Sequence, residues 1–171
     1  GVVMKFAFVF LASLFLSVAG AQTVDAQTRT VRHPEAGSPA LTVDVPDGWT
    51  ATIDGSNNLI LASSTRTVAF SLSVIAEDPV QRTLDEFARE VLASAKVHDV
   101  QTPGEDMLPP YPGANYIGKL DVGDVSVDLR MLIVKFDSNS FASATMITGT
   151  TATAEETAVG GMVLKTVRVV R

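Results

Sequence analysis

The chain has 171 residues, with 19 Asp and Glu against 13 Lys and Arg, a net charge of −6, and no cysteine. The absence of cysteine excludes disulfides, thiolate metal sites, cysteine nucleophiles and lipid attachment at a cysteine. The negative charge argues against nucleic acid and anionic membrane surfaces as partners, because an acidic protein gains nothing from counterion release at such surfaces.

The N-terminal residues have the three-part layout of a secretory signal peptide. Lys5 precedes a mostly apolar run, Phe6–Val18, and Ala19-Gly20-Ala21 form a small-x-small cleavage pattern. A helix of that length rises about 20 Å, which is short of the roughly 30 Å hydrocarbon core of a bilayer. We therefore expect residues 1–21 to be removed, with a second possible cut after Ala26. The mature protein is expected to be exported, periplasmic or extracellular, with no stable membrane span.

Residues 22–39 are polar and show no period, so we predict a flexible lead-in, followed by a single domain over residues 40–171. From Ala40 apolar residues alternate with polar ones, which predicts half-buried strands with Leu41, Val43, Val45, Trp49, Ala51 and Ile53 on the buried face. Pro46-Asp47-Gly48 is a turn signal, with Pro46 expected at the second position. This phase assigns Trp49 to the core rather than to a binding site. Further strands are predicted at Leu59–Ala62 and Val68–Val74.

Two helices are predicted from capping boxes. Thr83 and Glu86 form the first box, and an apolar stripe follows at Leu84, Phe87, Ala88, Val91, Leu92 and Ala95. Thr153 and Glu156 form the second, before a stripe that begins with Val159, Met162 and Val163. Gly160 and Gly161 lie within that helix, and each glycine costs about 1 kcal/mol of helix stability relative to Ala. They indicate either a close approach of the helix to the sheet or a weak point in the helix.

Two hairpins are predicted between these helices. Gly123-Asp124 is a two-residue turn signal that pairs Val122 with Val125, Leu120 with Val127 and Lys119 with Asp128. A longer turn at Asp137–Ser140 pairs Phe136 with Phe141, Ile133 with Ala144 and Met131 with Met146. The strand Val125–Phe136 should then be central. The order of elements predicts an α+β fold, a mostly antiparallel β-sheet flanked by helices.

The sequence carries no pattern typical of an enzyme, cofactor site or metal site. His33 and His98 are expected at the surface, since neither has the spacing of a triad or a metal site. Asp121, Asp124 and Asp128 lie close together, but Asp128 should pair with Lys119 and Asp121 should face Ser126. A solvated face is the favoured interpretation, and a hydrolase using Asp121 or Asp128 is an alternative.

The segment from Met107 to Tyr116 is the best candidate for recognition. Prolines reduce the entropy lost when a loop is ordered, and tyrosine gives amphipathic contact area suited to interfaces. Tyr116 is in register with the apolar face of the hairpin and is assigned to the core. The possible recognition surface is therefore Leu108, Pro109, Pro110, Tyr111 and Pro112, with a plain connection as the alternative.

A strand ending in "VPDGW", a short hairpin, a strand and a helix opening "TLDEFA" resemble the PsbP-like superfamily. More narrowly they resemble its bacterial DcrB-like branch, and the resemblance covers Ala40 to Arg171. It implies an α/β/α sandwich around an antiparallel sheet and no family-wide catalytic residues. Members include a photosystem accessory subunit, a small-GTPase-binding import factor, envelope proteins and secretion chaperones. Bacterial relatives often carry a lipobox cysteine, and its absence here argues for a soluble rather than a tethered form.

The leading hypothesis is an exported, non-enzymatic binding or accessory domain that contacts another protein of the bacterial envelope. One alternative is a carrier of a small apolar ligand held between sheet and helix. The other is the carboxylate-dependent hydrolase.

Overall fold

A computed structural model describes residues 28–75, 82–137 and 140–171, so the expected signal peptide lies outside the described residues. Ten strands and two helices are present in this part of the chain. They are β1 (Arg29–His33), β2 (Ala40–Val45), β3 (Thr50–Ile53), β4 (Leu59–Ala62), β5 (Val68–Ile75), α1 (Leu84–Ser94), β6 (Gly104–Leu108), β7 (Tyr111–Val122), β8 (Val125–Asp137), β9 (Ser140–Thr148), α2 (Ala154–Lys165) and β10 (Arg168–Val170). None of the described helices is both long and apolar enough to span a bilayer.

Seven strands form one antiparallel sheet in the order β3-β4-β5-β9-β8-β7-β6, and a smaller sheet has the order β1-β2-β10. One face of the large sheet packs against α1 around Phe87, and we call this layer the α1 core. The other face packs against α2 and the small sheet around Phe70, and we call this layer the α2 core. The predicted α+β fold, with a mostly antiparallel sheet between helices, is confirmed.

Trp49 lies in the α2 core, as the alternation predicted. It is 5% exposed, and its ring centroid lies 6.0 Å from that of Phe70. The Trp49 N–H donates to the Pro46 carbonyl at 3.2 Å, and Gly48 has a φ of +81°. Pro46 is therefore at the first position of the turn, not the second. The alternation is wrong at its far end, because Ile53 is 54% exposed.

The predicted lead-in contains a strand. Residues 29–33 pair with β2 from Arg29↔Val45 to His33↔Leu41, which corrects the expectation of an irregular segment there. This strand carries a single aliphatic residue and so has no apolar period to reveal it. Its partner β2 supplies the ladder. His33 is also not at the surface: it is 4% exposed, and its Nε2 bonds the carbonyl oxygen of Asn57 at 2.7 Å.

The first hairpin has the predicted register, including the Lys119↔Asp128 pair. The second is displaced by one residue: Ile133 pairs with Ser143 and Met131 with Thr145. An irregularity between Lys135 and Asp137 absorbs the extra residue. A one-residue slip exchanges the two faces of a strand. Strand β8 still has β9 and β7 as neighbours and is central, as predicted.

Both capping boxes are present, at Thr83 with Glu86 and at Thr153 with Glu156. Glu156 also accepts hydrogen bonds from the hydroxyls of Thr65 and Thr67, which fastens the start of α2 to the turn between β4 and β5. The pKa of Glu156 is lowered to about 2, first by the hydrogen bond from Thr65, then by that from the Thr153 N–H of the capping box, and then by that from Thr67.

Candidate functional site

The proposed recognition segment is a tight hairpin turn between two strands. Leu108 ends β6 and pairs with Tyr111, the first residue of β7, so Pro109-Pro110 form the connection. The Val169 N–H of β10 donates to the Pro109 carbonyl at 2.8 Å. The turn is therefore held against the small sheet as well as closing one edge of the large one.

The five proposed residues differ in accessibility. Leu108 is fully buried in the α2 core and cannot contribute to a surface. Pro109 and Tyr111 are half-buried, and the Tyr111 ring lies 5.9 Å from that of Phe136. Pro110 and Pro112 are exposed. The structure thus leaves two exposed prolines and the half-buried Pro109 and Tyr111 on this edge.

A cleft of about 240 Å³ opens beside this turn, between β6 and the C-terminal part of α2. We call it the β6–α2 cleft. It is lined by Asp106, Met107, Pro109, Arg130, Leu132, Gly161, Leu164, Lys165 and Val167. The elements that form it are far apart in the sequence and meet because β10 and α2 pack on the large sheet.

Apolar and charged groups are separated within the cleft. Leu132, Leu164 and Val167 are buried and supply an apolar floor. On one wall the Arg130 guanidinium forms an ion pair with the Asp106 carboxylate at 3.3 Å. Interfaces between proteins commonly have an apolar centre that anchors one side chain and a polar rim around it.

Two exposed methionines flank this region. Met107, which lines the cleft, is 49% exposed, and Met162, next to Gly161 on α2, is 68% exposed. The sequence placed Met162 in the buried stripe of its helix, and that prediction is wrong. Methionine side chains are flexible and polarisable, and they are over-used at protein-binding surfaces. The sequence signals near this site were the proline-rich segment that begins at Met107 and the Gly160-Gly161 pair.

The size of the cleft limits its occupant. Sites for small molecules and cofactors usually enclose about 300–1,000 Å³, and the β6–α2 cleft at about 240 Å³ is smaller. Between the large sheet and α1, the rings of Phe87 and Phe141 stack with their centroids 4.0 Å apart. This packing gives the hypothesis of an apolar ligand between sheet and helix no support.

The acidic cluster of the first hairpin forms a surface hydrogen-bond network. The Asp121 carboxylate accepts from the Ser126 hydroxyl at 2.7 Å and bonds His98 Nε2 at 2.8 Å. Asp128 pairs with Lys119 at 2.7 Å, as predicted. Since Ser126 donates to a carboxylate and not to His98, the arrangement is not that of a nucleophile on a general base.

The ionisation of this network follows from its hydrogen bonds. Those with Asp121 and then Asp99 raise the pKa of His98, while bonds from Ser126 and then His98 lower the pKa of Asp121. The side chains of Asp121 and Asp128 are 65% and 70% exposed. An exposed carboxylate with a lowered pKa is a poor general acid, so Asp121 gives the hydrolase alternative no support. Within the described ranges, no group of three or more His, Asp or Glu could hold a metal ion.

The large antiparallel sheet with helices on both faces is the PsbP-like fold. One solved structure that shares it is LpqN of Mycobacterium tuberculosis, involved in cell envelope biogenesis, at 13% identity and a TM-score of 0.52 over 85% of this chain and 91% of that one. Cyanobacterial PsbP (CyanoP) of Synechocystis has 11% identity and a TM-score of 0.57 over 91% and 99% of the two chains. The Ran-binding protein Mog1p of Saccharomyces cerevisiae has 9% identity and a TM-score of 0.56 over 84% and 96%. No protein-family model and no curated protein sequence matches the chain.

Proposed function

We propose that this protein is an exported, non-enzymatic binding domain that contacts another protein of the bacterial envelope through the β6–α2 cleft. The observation that carries the proposal is the apolar floor of this cleft beside the exposed side chain of Met107. Its neighbours in fold support it, since LpqN is involved in cell envelope biogenesis and Mog1p is a Ran-binding protein. Within the fold, we assign the chain to the DcrB-like bacterial branch.

The cleft suits a single anchor side chain. An aliphatic or aromatic side chain of the partner would be enclosed by Leu132, Leu164 and Val167, and burying one is worth about 1.5–3 kcal/mol. The exposed Pro110 and Pro112 extend the contact along the edge, where a rigid turn loses little entropy on binding. The ion pair of Arg130 and Asp106 is half-exposed and would set orientation more than affinity.

Export is proposed from the N-terminal pattern, with residues 1–21 as a signal peptide. Because β1 (Arg29–His33) pairs with β2, the domain includes this strand of the predicted lead-in as well as residues 40–171. Mass spectrometry of the protein recovered from the exported fraction tests this directly. We expect a mature N-terminus at Gln22 or Gln27, and recovery of the intact chain from the cytoplasm alone would contradict it.

The contact is tested by photo-crosslinking. A benzoyl-phenylalanine placed at Met107 should give a defined adduct with an envelope extract of the source bacterium. The same probe at Val125, which is 44% exposed at the first hairpin turn, should not. Equal labelling from both positions would contradict a specific contact at this edge.

A matched pair of glycine variants then tests the cleft itself. A Cβ at Gly161 or at Gly55 meets no atom within 4 Å, so arginine should be accommodated at either position. Gly161→Arg fills the cleft and should abolish the adduct from position 107, whereas Gly55→Arg, in the turn between β3 and β4, should leave it unchanged. An adduct that survives Gly161→Arg would show that the cleft is not the contact.

A further inference from the structure

A second and larger cleft lies at the opposite edge of the large sheet. It encloses about 630 Å³ between β1 and β3, and we call it the β1–β3 cleft. Its lining includes the consecutive residues Arg29–Glu35 and Ala51–Ile53. Successive side chains of a strand point to opposite faces, so a cleft lined by consecutive residues meets the edge of each strand rather than a face. Strands β1 and β3 are each the outermost strand of their sheets.

Among the described residues, no strand pairs with the outer edge of β3, so this edge presents its backbone groups to the cleft. The Asp54 N–H donates to the Asn58 carbonyl at 3.0 Å, which makes these two residues a hydrogen-bonded pair. Hydrogen-bonded and non-hydrogen-bonded pairs alternate in an antiparallel ladder, so Thr52 bonds its partner Ile60. The N–H and C=O groups of Ala51 and Ile53 therefore point away from β4, toward the free edge. Such an edge is a template for another strand.

The side chains of the cleft combine apolar surface with positive charge. Ile53 is 54% exposed, and Val31 and Ala51 are half-buried against the α2 core. Arg32 donates to the carbonyl oxygens of Pro34, Glu35 and Gly37 at 2.8, 3.2 and 2.5 Å. These acceptors are neutral, and no ion pair joins Arg32 to a carboxylate of the described residues. With two arginines and one glutamate, the lining is positive in a protein whose net charge is −6.

A buried histidine fixes one end of the cleft. His33 ends β1, and its Nε2 lies 2.7 Å from the carbonyl oxygen of Asn57 in the turn between β3 and β4. A carbonyl only accepts, so Nε2 carries the proton and donates. The turn that contains Asn57 is itself ordered, because the Asp54 carboxylate accepts hydrogen bonds from the N–H groups of Ser56 and Asn58, both at 2.9 Å. Asn57 has a left-handed backbone conformation in this turn, with a φ of +61°. The hydrogen bond between His33 and Asn57 therefore holds the end of β1 at a fixed distance from the turn that follows β3.

We propose that the β1–β3 cleft binds an extended acidic peptide segment of a partner protein, which adds as a strand to the free edge of β3. Main-chain hydrogen bonds to Ala51 and Ile53 would give affinity, as in other cases of strand addition. A carboxylate on the peptide would meet the Arg32 guanidinium, and an apolar side chain would cover Ile53. The volume is within the range of about 300–1,000 Å³ that is usual for ligand sites. This site is separate from the β6–α2 cleft and does not depend on the function proposed for it.

The test uses a fluorescent heptapeptide in which valine alternates with aspartate. Saturable binding by fluorescence anisotropy is expected, with backbone amide shifts in NMR spectra centred on Ala51 and Ile53. Ile53→Asp places a like charge at an exposed position and should weaken binding at least about tenfold, comparable to losing one charge-assisted hydrogen bond. Val125→Asp replaces an aliphatic side chain by the same charge at a 44% exposed position elsewhere and should have no effect.

Two altered probes separate strand addition from other modes. A heptapeptide with every backbone amide N-methylated keeps the charge but loses its N–H donors on both edges, and it should not bind. Replacing its aspartates by lysines should also abolish binding. No saturable binding of the parent peptide, or equal binding of the methylated one, would overturn the proposal. So would displacement by laurate at equal affinity, which would assign the cleft to small amphipathic acids. Self-association that Ile53→Asp abolishes would assign it to a second copy of the chain and would also overturn the proposal.

Discussion

Trp49 closes the α2 core beside the turn that joins β2 to β3, and its truncation should be costly. Trp49→Ala removes a side chain that is 5% exposed and packed near Phe70, so we expect a loss of about 3–5 kcal/mol in the free energy of unfolding. Urea unfolding followed by far-UV circular dichroism measures it. Ile53→Ala, at a 54% exposed position four residues away, should cost less than about 0.5 kcal/mol. A loss below about 1 kcal/mol for Trp49→Ala would contradict its core role.

His98 should titrate above its ordinary pKa of 6.5, because hydrogen bonds with Asp121 and then Asp99 favour the charged ring. The stabilisation it adds is therefore complete below pH 6.5 and lost as the pH rises through the raised folded-state pKa. An NMR titration of the His98 ring protons should show this shift, and Asp121→Asn should move the pKa back toward 6.5. Asp128→Asn, which removes the partner of Lys119, is the control and should leave the His98 curve in place. Identical curves for Asp121→Asn and the unmodified protein would refute this network.

At the scale of elements, the two adjacent glycines of α2 have different reasons to be there. A Cβ at Gly160 would lie 2.9 Å from Val68 Cγ1 and 3.1 Å from Met146 Sδ, whereas one at Gly161 would meet nothing within 4 Å. The close approach of helix to sheet thus explains Gly160 and not Gly161. The second glycine instead leaves the floor of the β6–α2 cleft open.

The two alanine variants should therefore change stability in opposite directions. Gly160→Ala must displace the buried, β-branched Val68 and should destabilise by about 1–3 kcal/mol. Gly161→Ala gains helix propensity without a clash and should stabilise by about 0.5–1 kcal/mol. Thermal unfolding of both variants, read against the unmodified protein, is the measurement. Equal effects from both would mean that the helix does not approach the sheet as described.

The elements that could be predicted from the sequence are those whose signals are local. Both capping boxes and the turn at Gly123-Asp124 are written within a few residues, and the structure has them. The register between β8 and β9 had no such local signal, because residues 131–134 of β8 are all buried and apolar. An uninterrupted apolar run does not show which residues face which side of the sheet. The irregularity between Lys135 and Asp137 was therefore not visible, and the register was displaced by one.

The clefts could not be predicted, since each joins elements distant in the chain. Asp106 and Lys165 line the β6–α2 cleft, and Arg29 and Ile53 line the β1–β3 cleft. Strand β1 itself is polar and depends on β2 for its pairing. The segment Leu108–Pro112 was proposed as a recognition surface because of its prolines and Tyr111, but the burial of Leu108 depends on tertiary packing and has no local signal.

At the scale of the whole molecule, one sheet supports two cores. Alternate residues of a single strand serve opposite layers: Leu132 of β8 lies in the α2 core and Ile133 in the α1 core. Neither layer can lose its packing without exposing the sheet on which the other rests. Small domains with shared elements of this kind usually unfold in one cooperative transition.

Coupling between the cores can be measured because Trp49 is the only tryptophan of the chain and lies in the α2 core. Phe87 lies in the α1 core, where its fully buried ring stacks on that of Phe141. Phe87→Ala should therefore lower the free energy of unfolding by about 3–5 kcal/mol. If the cores unfold together, Trp49 fluorescence and far-UV circular dichroism should give one coincident urea transition in both proteins, shifted to lower urea in Phe87→Ala. A tryptophan transition that stays in place while the helical signal is lost earlier would mean that the α1 layer opens independently of the α2 core.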